Sequence, residues 1–382
     1  MSIAWDAIVI GGGMIGLAMA YHLARRQVRV LLLERGDLGQ AASGANAGRA
    51  QSIEAHPGLN VVLVKQGHAR LAALAEELDF DIELRPMGNL VLIEEERHWQ
   101  EWSEQAGKLT AEGIDAQMLS PAQVQELEPL LAVNGCLGAA FGMEANVNPF
   151  KFCWAYARAA CRHGAHLLPH TPATGFEIEG GRIQAVLAGA ERHAAGTVVV
   201  AAGPWTARVT GWAGEPVPVG FHYAEAMITE PLPPVLNNHV GLAGFYEMIH
   251  SSRRTTTAGV LQTQRGNLLI TEGVEQTDEL HARSTDWGIA GMAAKSLRLL
   301  PWLRHVRLLR DWGVPSSVSP DEEPIIGWAG EVDNLFVAGR LHLNIATLPL
   351  ISDLAAGMVL AETVEPSLDA YSPRRFSPRV VN

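Results

Sequence analysis

Three glycines near the start of the chain and one acid downstream have the spacing of a phosphate-binding turn. Gly11, Gly13 and Gly16 form a G-x-G-x-x-G pattern, and Glu34 lies 21 residues after Gly13. In such a turn the first glycine permits a sharp bend, the second lets the backbone approach a pyrophosphate, and the third lets a helix pack closely on a strand. The acid can accept hydrogen bonds from ribose hydroxyls, so this stretch predicts the binding of a dinucleotide.

The elements around these glycines must present them to the ligand. Residues 7–10 are an apolar run typical of a strand, residues 17–26 are predicted to form a helix, and residues 28–33 a second strand. The free N–H groups and the positive dipole end of the helix would face the phosphates. Because the charge of Glu34 would repel a 2′-phosphate, NADP is disfavoured, and NAD and FAD remain.

Two further stretches of small residues predict close contact between backbone and cofactor. Residues 43–48 read Ser-Gly-Ala-Asn-Ala-Gly, which is too uniformly small for a solvated linker. Residues 197–205 form an apolar strand that ends in Ala-Ala-Gly-Pro-Trp. This second stretch is explained as well by a cofactor above it as by a strand that stops at the edge of the core.

The pattern of strands and helices changes along the chain and predicts two intergrown domains in an α/β protein. A Rossmann-like nucleotide-binding domain is expected from residues 1–84, 145–215 and 320–382, where apolar strands precede helices. Residues 85–144 and 216–319 are expected to form an inserted α+β substrate domain with a mostly antiparallel sheet, because short strands there alternate polar and apolar residues.

Composition narrows the class of protein. The chain has 382 residues, 48% of them hydrophobic and 18% charged, which is typical of a globular protein. A net charge of −12 argues against nucleic acid or an anionic membrane as partner. No apolar stretch approaches the roughly 20 residues of a membrane span, and no signal peptide is recognisable. The three cysteines show no metal or redox spacing, so a cytoplasmic protein without a metal site is expected.

The order of several motifs resembles the FAD-dependent amine and amino-acid oxidoreductases of the glycine oxidase, sarcosine oxidase and D-amino-acid dehydrogenase type. Besides the glycine turn and residues 43–48, the shared motifs are Val147-Asn148-Pro149 and residues 200–205, 321–327 and 335–339. Gln262 with residues 266–270 is most similar to the branch that contains the flavin subunits of opine oxidase, hydrogen cyanide synthase and hydroxyproline dehydrogenase.

The resemblance implies FAD as cofactor, and a hetero-oligomer with partner subunits is common in this branch. No cysteine stands near the C-terminal flavin segment, so FAD is expected to be held non-covalently. Glu34 would hold the adenosine ribose, residues 43–48 would run along the isoalloxazine, and the segment after Gly339 would cradle the flavin ring. The expected cofactor-binding residues are Gly11, Gly13, Met14, Ile15, Gly16, Glu34, Arg35, Ser43, Gly44, Asn46, Ala47, Gly48, Ala202, Gly203, Trp205, Gly339, Arg340, Leu341, His342 and Asn344.

One departure from the family pattern concerns the substrate. Ser316 stands where related enzymes that act on simple amino acids present an arginine, so the expected clamp on a substrate carboxylate is missing there. Three residues are predicted to be catalytic instead: His342, Arg49 and Tyr246. For Arg49 a phosphate or a surface partner is an equal alternative, and Arg340 can serve either the substrate or the flavin. Further candidates for substrate contact are His222, Tyr223, His250 and Gln262, each of which can equally be a hydrogen-bonded wall residue.

The predicted function is FAD-dependent oxidation of the C–N bond of an amino acid or a secondary amine, such as an imino acid or an opine. Hydride would pass to flavin N5, and the resulting imine would hydrolyse in water. An alternative is a flavin-carrying electron-relay or scaffold subunit of a hetero-oligomeric dehydrogenase with a degenerate substrate pocket, which the missing arginine favours. An NAD-dependent dehydrogenase is a third possibility, but no separate catalytic domain with a nucleotide cleft is recognisable.

Overall fold

The computed structural model describes residues 4–244, 255–275, 283–330, 332–341 and 344–376. Helices and two sheets make up this part of the chain. The α-helices are α1 (Met14–Arg25), α2 (Ala41–Ala45), α3 (Leu59–Glu77), α4 (Glu96–Ala111), α5 (Pro121–Leu127), α6 (Pro149–Arg162), α7 (Thr206–Gly211), α8 (Asp286–Leu299) and α9 (Asn344–Val359). Short 3-10 helices span Gly203–Trp205, Pro301–His305, Asp369–Tyr371 and Pro373–Phe376.

The first sheet is mostly parallel. Its strands are β1 (Trp5–Ile10), β2 (Val30–Leu33), β7 (His166–Leu168), β8 (Gly175–Glu179), β9 (Arg182–Ala188), β10 (Glu191–Val200), β16 (Ile326–Trp328) and β17 (Leu335–Ala338). The main strand order is β16-β17-β10-β1-β2-β7, and the β8–β9 hairpin pairs with β10. Only β16 in the main order runs antiparallel to its neighbour.

The sequence of β1 explains its central place. Residues 7–10 are all buried, with Ala7 and Val9 in the core that α1, α3 and α6 share, and Ile8 and Ile10 in the core on the other face. A strand that is buried on both faces must be apolar throughout, as is usual in parallel sheets.

The second sheet is antiparallel except where β4 and β12 pair. Its strands are β3 (Arg49–Ala50), β4 (Arg85–Ile93), β5 (Gln117–Leu119), β6 (Gly138–Asn146), β11 (Gly220–Pro231), β12 (His239–Leu242), β13 (Thr255–Gln262), β14 (Asn267–Glu275) and β15 (Leu308–Val318). The main order is β15-β11-β14-β13-β12-β4-β6-β3. One face packs against α8, where Val260 and Ile270 join Met292 and Leu299 in one core.

The predicted fold class is confirmed, with a parallel nucleotide-type sheet and a second, mostly antiparallel sheet. Five strands of the second sheet, β3, β5, β6, β12 and β15, were not predicted. The glycines and alanines of β6 have low strand propensity, and Pro315 interrupts the pattern of β15. These segments form strands because they pair with distant strands, and no local sequence pattern indicates such pairing.

The division of the chain into two domains remains a prediction. The strands of each sheet come almost entirely from the segments predicted for one of the two domains. One element crosses between them, because Arg49 and Ala50 of β3 pair with Asn146 and Ala145 of β6 in the second sheet. In the ranges given above, no helix is both long and apolar enough to cross a membrane.

Candidate functional site

The glycine turn lies where β1 passes into α1 and permits contacts that no other residue would allow. Gly11 has a φ of +112°, and a Cβ there would overlap the carbonyl group of Ala201. A Cβ on Gly16 would overlap the carbonyl oxygen of Gly11, and one on Gly13 would stand 2.9 Å from Ser43 Oγ. The turn is therefore packed against two of the predicted small-residue stretches.

The N-terminus of α1 receives no hydrogen bond from its N-cap residue, and the N–H group of its first residue is bound by a neighbouring loop. Gly13 is the N-cap and provides no side-chain hydrogen bond. The N–H of Met14 donates to Ser43 Oγ at 2.9 Å, which ties the helix start to the loop at 43–48. A helix start with uncapped N–H groups and a positive dipole end suits an anionic phosphate.

Glu34 is held at the rim of this turn by backbone donors. Its Oε2 atom accepts from the N–H of Gly12 at 2.6 Å, and its Oε1 atom accepts from the N–H of Gly36 at 2.7 Å. Each carboxylate oxygen has a second lone pair, so the group can still accept from two ribose hydroxyls. Beside it the guanidinium of Arg35 lies 3.6 Å from the ring centre of Trp205, so two predicted cofactor residues from distant segments meet.

The loop at 43–48 is tied to α1 on one side and to the second sheet on the other. The carbonyl of Ala47 accepts from Asn146 Nδ2 at 2.8 Å, and the N–H of Gly48 donates to Asn46 Oδ1 at 2.6 Å. The indole N–H of Trp312 donates to the carbonyl of Ala45 at 3.1 Å. The loop is therefore fixed from both sides, and part of it forms the short helix α2, which the sequence did not predict.

Arg49 follows this loop directly, and its side chain lies in a buried group of charges. Its Nη2 atom is 3.3 Å from Glu54 Oε1 and 3.2 Å from Glu144 Oε2. Glu144 also accepts from the N–H of Ser52 at 2.8 Å. We call the whole group the acidic cluster; its members are Arg49, Glu54, Asn89, Glu144, His239 and Glu272.

Burial and mutual charge shift the pKa values within the acidic cluster. Burial opposes the charge of Arg49, yet the three carboxylates outweigh it and hold the pKa of Arg49 above its ordinary value. Burial raises the pKa of Glu144, against the pull of Arg49, and raises the pKa of Glu272 from 4.5 to about 8. Burial also holds the pKa of His239 well below its ordinary value, so this imidazole is neutral at physiological pH.

Comparison with known proteins identifies the family. A family model described as FAD dependent oxidoreductase matches residues 6–358. The chain belongs to this family of FAD-dependent oxidoreductases. The glycine oxidase of Geobacillus kaustophilus is 28% identical over 396 residues, which cover 99% of this chain and 97% of that enzyme. Subunit HcnC of the hydrogen cyanide synthase of Pseudomonas aeruginosa is 28% identical over 430 residues, which cover 99% of this chain and 98% of that subunit.

Solved structures of this family share the fold over nearly the whole chain. The glycine oxidase of Geobacillus kaustophilus superposes with a TM-score of 0.86 at 26% identity, covering 97% of this chain and 99% of that one. The L-proline dehydrogenase of P. horikoshii has the same TM-score of 0.86 at 22% identity and covers 98% of both chains, which shows a common fold. The resemblance predicted from the motifs is thus confirmed, and so is FAD as the cofactor.

The residues of the turn fit FAD. The glycines leave no room for side chains where the backbone must meet a diphosphate, and Glu34 presents a fixed carboxylate for the adenosine ribose. The C-terminal segment is held in place by its backbone, since the N–H of Gly339 donates to the carbonyl of Ile325 at 2.8 Å and the N–H of Ile325 donates to the carbonyl of Arg340 at 3.1 Å. The assignment of both segments to the cofactor remains a prediction.

Three of the predicted residues lie outside the described residues: His342, Tyr246 and His250. Asn344 is described only as the first residue of α9. The roles predicted for His342 and Tyr246 therefore remain predictions.

Two of the predicted wall residues occupy the second sheet in different ways. The side-chain amide of Gln262 is used up structurally, because its Oε1 atom accepts from the N–H groups of Val235 and Leu236 and its Nε2 atom donates to three carbonyl oxygens. His222 pairs across the sheet with Ser316, the residue that stands in place of the expected arginine. The hydrogen bonds of Gln262 therefore hold the loop at residues 232–236 in place.

Sequence reasoning did not single out the members of the acidic cluster other than Arg49. The one available signal was an acid or a histidine inside an otherwise apolar strand, as at Glu272 in β14 and His239 in β12. Such residues come from separate strands, and only the pairing of those strands brings them together.

Proposed function

We propose that this protein oxidises the C–N bond of an amine or amino acid. The observation that carries the proposal is an apolar wall beside the loop at 43–48, which we call the cofactor loop. Ala47 of this loop packs against one cluster of side chains from the second sheet. These are Met87, Ala226, Leu261, Leu269 and Trp312. Relatives named glycine oxidase and sarcosine oxidase, and a structural neighbour named iminodiacetate oxidase, support this reaction class.

The chain supplies position and a dry environment for this reaction. When bound, FAD supplies the electron acceptor for the hydride of a C–H bond next to nitrogen. An apolar wall disfavours the charged form of a nearby amine and so favours the neutral amine, which can give up a hydride. The loop at 43–48, fixed by Asn146 and Trp312, would keep the cofactor and the substrate in register.

The substrate is not expected to be a small amino acid held by an arginine clamp from Arg49. The guanidinium of Arg49 is already paired with Glu54 and Glu144, and the position of the family's arginine is taken by Ser316. The proposed catalytic residues are His342 and Tyr246, and Arg49 is proposed to act by fixing charge beside the cofactor loop.

The test is direct reduction of the bound flavin. The purified protein should show the visible absorption of oxidised flavin, and anaerobic mixing with a panel of amines, imino acids and amino acids should bleach it with at least one class. Flavin that stays oxidised with every amine, alone and with added candidate partner subunits, would contradict the proposal.

A second candidate function is an electron-relay subunit within a hetero-oligomer. It is favoured by Ser316 and by relatives named as subunits, among them sarcosine oxidase subunit beta of Rhodobacter capsulatus, which is 24% identical over 343 residues. A relay subunit would not be bleached by amines on its own but would be reduced once its partner subunit was added. The same stopped-flow mixing, run with and without a co-purified partner, separates the two functions.

A further inference from the structure

A small cavity lies within the acidic cluster, on the face of the second sheet that points away from α8. Its volume is about 10 Å³, and Glu54, Trp102, His239, Ala243 and Glu272 are among its lining residues. A space of this size holds about one water-sized atom. The same sheet face carries Met87 and Leu261, which pack against the cofactor loop, so the cavity belongs to the catalytic side of the sheet.

The hydrogen bonds around Asn89 determine which nitrogen of His239 carries the proton. Asn89 Nδ2 lies 3.4 Å from Glu54 Oε1 and 3.3 Å from Glu144 Oε1, so two carboxylates fix the amide with its NH₂ group toward them. Asn89 Oδ1 must then accept, at 2.9 Å, from His239 Nδ1. In a neutral imidazole the other nitrogen, Nε2, is then an acceptor.

His239 Nε2 is buried and has no hydrogen-bond partner among the described residues, although His239 is only 3% exposed. Glu272 Oε2 is buried without a partner as well, at a residue whose φ of +88° places it at an irregularity of β14. Both groups meet at Gly259, where a Cβ would stand 2.5 Å from Glu272 Oε1 and 2.9 Å from His239 Nε2. A buried acceptor without a donor is costly, so these two groups suit a ligand that donates hydrogen bonds.

The charges around the cavity favour a cation. Three carboxylates, on Glu54, Glu144 and Glu272, face the single guanidinium of Arg49, and Lys295 of α8 is the other cation whose charge reaches Glu272. Glu272, whose pKa is raised to about 8, would give up its proton beside a bound cation, whereas a bound carboxylate would keep it protonated and would find no lysine or arginine among the lining residues. An ammonium group, which is about the size of water and donates several hydrogen bonds, matches the volume, the acceptors and the charge.

We propose that this cavity binds a primary ammonium group, and that the substrates of this protein are therefore amines with a second cationic nitrogen, such as diamines or basic amino acids. The substrate class rests on the proposed function, whereas the binding of ammonium does not. Glu272 and His239 act as specificity residues: they accept hydrogen bonds from the ammonium group and balance its charge.

The first arm of the test uses ammonium chloride, which contains no C–H bond and cannot be oxidised. Calorimetric titration of the holoenzyme should show saturable binding of ammonium that potassium chloride does not reproduce. Because burial raises the pKa of Glu272 to about 8, binding of a cation at neutral pH should release a proton, and the observed enthalpy should change with the ionisation enthalpy of the buffer. The groups that face Glu272 and share this titration are His239, Arg49, Glu54 and Lys295.

The second arm compares butane-1,4-diamine with butylamine in flavin reduction. The wild type should prefer the diamine by at least tenfold in kcat/KM, mainly through KM, and Glu272→Gln should remove most of this preference. Gly259→Ala, which crowds Glu272 and His239, should do the same if Glu272→Gln folds poorly. Glu225→Gln is the matched control, since Glu225 is a buried acid of β11 that accepts from Thr285 Oγ1, and it should keep the preference.

The outcomes separate the two proposals. Ammonium that binds through Glu272 in a protein that oxidises no amine would sustain the cavity assignment and overturn the substrate class together with the proposed function. Oxidation of amines without any diamine preference, or with one that survives both variants, would overturn the inference and leave the proposed function intact. Equal binding of potassium would make the cavity a general cation site and would also overturn it.

Discussion

Charge is central to both the nucleotide turn and the acidic cluster, but the two are assembled in opposite ways. The turn works with backbone groups from one continuous stretch, in which glycines leave space and Glu34 is fixed by the N–H groups of Gly12 and Gly36. The acidic cluster works with side chains that come from β3, β4, β6, β12, β14 and the loop that holds Glu54. Steric changes should therefore disable the turn, and changes of charge should disable the cluster.

The largest effect is expected from Gly16→Ala in the turn. A Cβ at this position would overlap the carbonyl oxygen of Gly11, and neither backbone segment can retreat without opening the junction of β1 and α1. We expect loss of bound flavin and destabilisation of more than about 4 kcal/mol, measured by the flavin-to-protein absorbance ratio and by urea unfolding. Gly107→Ala in α4 is the control, since a Cβ there has open space and should stabilise the helix by up to about 1 kcal/mol.

Arg49→Met should have the next largest effect and tests the cluster through charge. The variant keeps an apolar stem but leaves the buried carboxylates of Glu54 and Glu144 without their cation. We expect a loss of about 3–5 kcal/mol in the free energy of unfolding, as is usual when one partner of a buried ion pair is removed. The surface pair of Arg192 and Glu177 provides the comparison, because both side chains are nearly half exposed and Arg192→Met should cost less than about 1 kcal/mol.

The contrast between a turn built from one continuous stretch and a cluster built from separate strands explains what could be predicted from the sequence. The turn was recognisable because its determinants are local: a strand, three glycines, a helix and an acid at a fixed distance all lie between residues 7 and 34. The meeting of Arg35 with Trp205 was not predicted, since 169 residues lie between them and only the pairing of β1 with both β2 and β10 brings them together.

The acidic cluster could not be predicted, because no local pattern distinguishes a buried acid from a solvated one. The sequence analysis did not single out Glu272, and only an irregularity in the pairing of β13 and β14 turns it toward His239. Arg49 was singled out for its place after the loop, but its ion pairs depend on the pairing of β3 with β6, and β6 was not recognised as a strand.

Glu34→Gln tests the turn by chemistry and should have a smaller effect than Gly16→Ala. The carboxamide keeps the shape but replaces one acceptor oxygen by an NH₂ group, which would face either a backbone N–H or a ribose hydroxyl. A hydrogen bond to a charged group is worth about 1.5–3 kcal/mol, so we expect FAD to bind about 10 to 100 times more weakly. Titration of the apoprotein with FAD measures this, and an unchanged dissociation constant would show that Glu34 does not hold the ribose.

Glu272→Gln tests the acidic cluster through pH and should have the smallest effect near pH 5, where the carboxyl group and the carboxamide are both neutral in the fold. In the folded protein the pKa of Glu272 is raised from 4.5 to about 8, so between these values the unfolded chain has lost a proton that the folded chain keeps. The folded state therefore loses stability as pH rises through this range, by up to about 1.4 kcal/mol per pH unit for one proton. The glutamine cannot titrate, so thermal unfolding of the variant should depend less on pH from 5 to 8 than that of the wild type, and the two should differ most near pH 8. Parallel dependences of the unfolding temperature on pH for the two proteins would mean that the carboxyl group of Glu272 ionises normally in the fold. The acidic cluster would then have no proton on Glu272 to release when a cation binds.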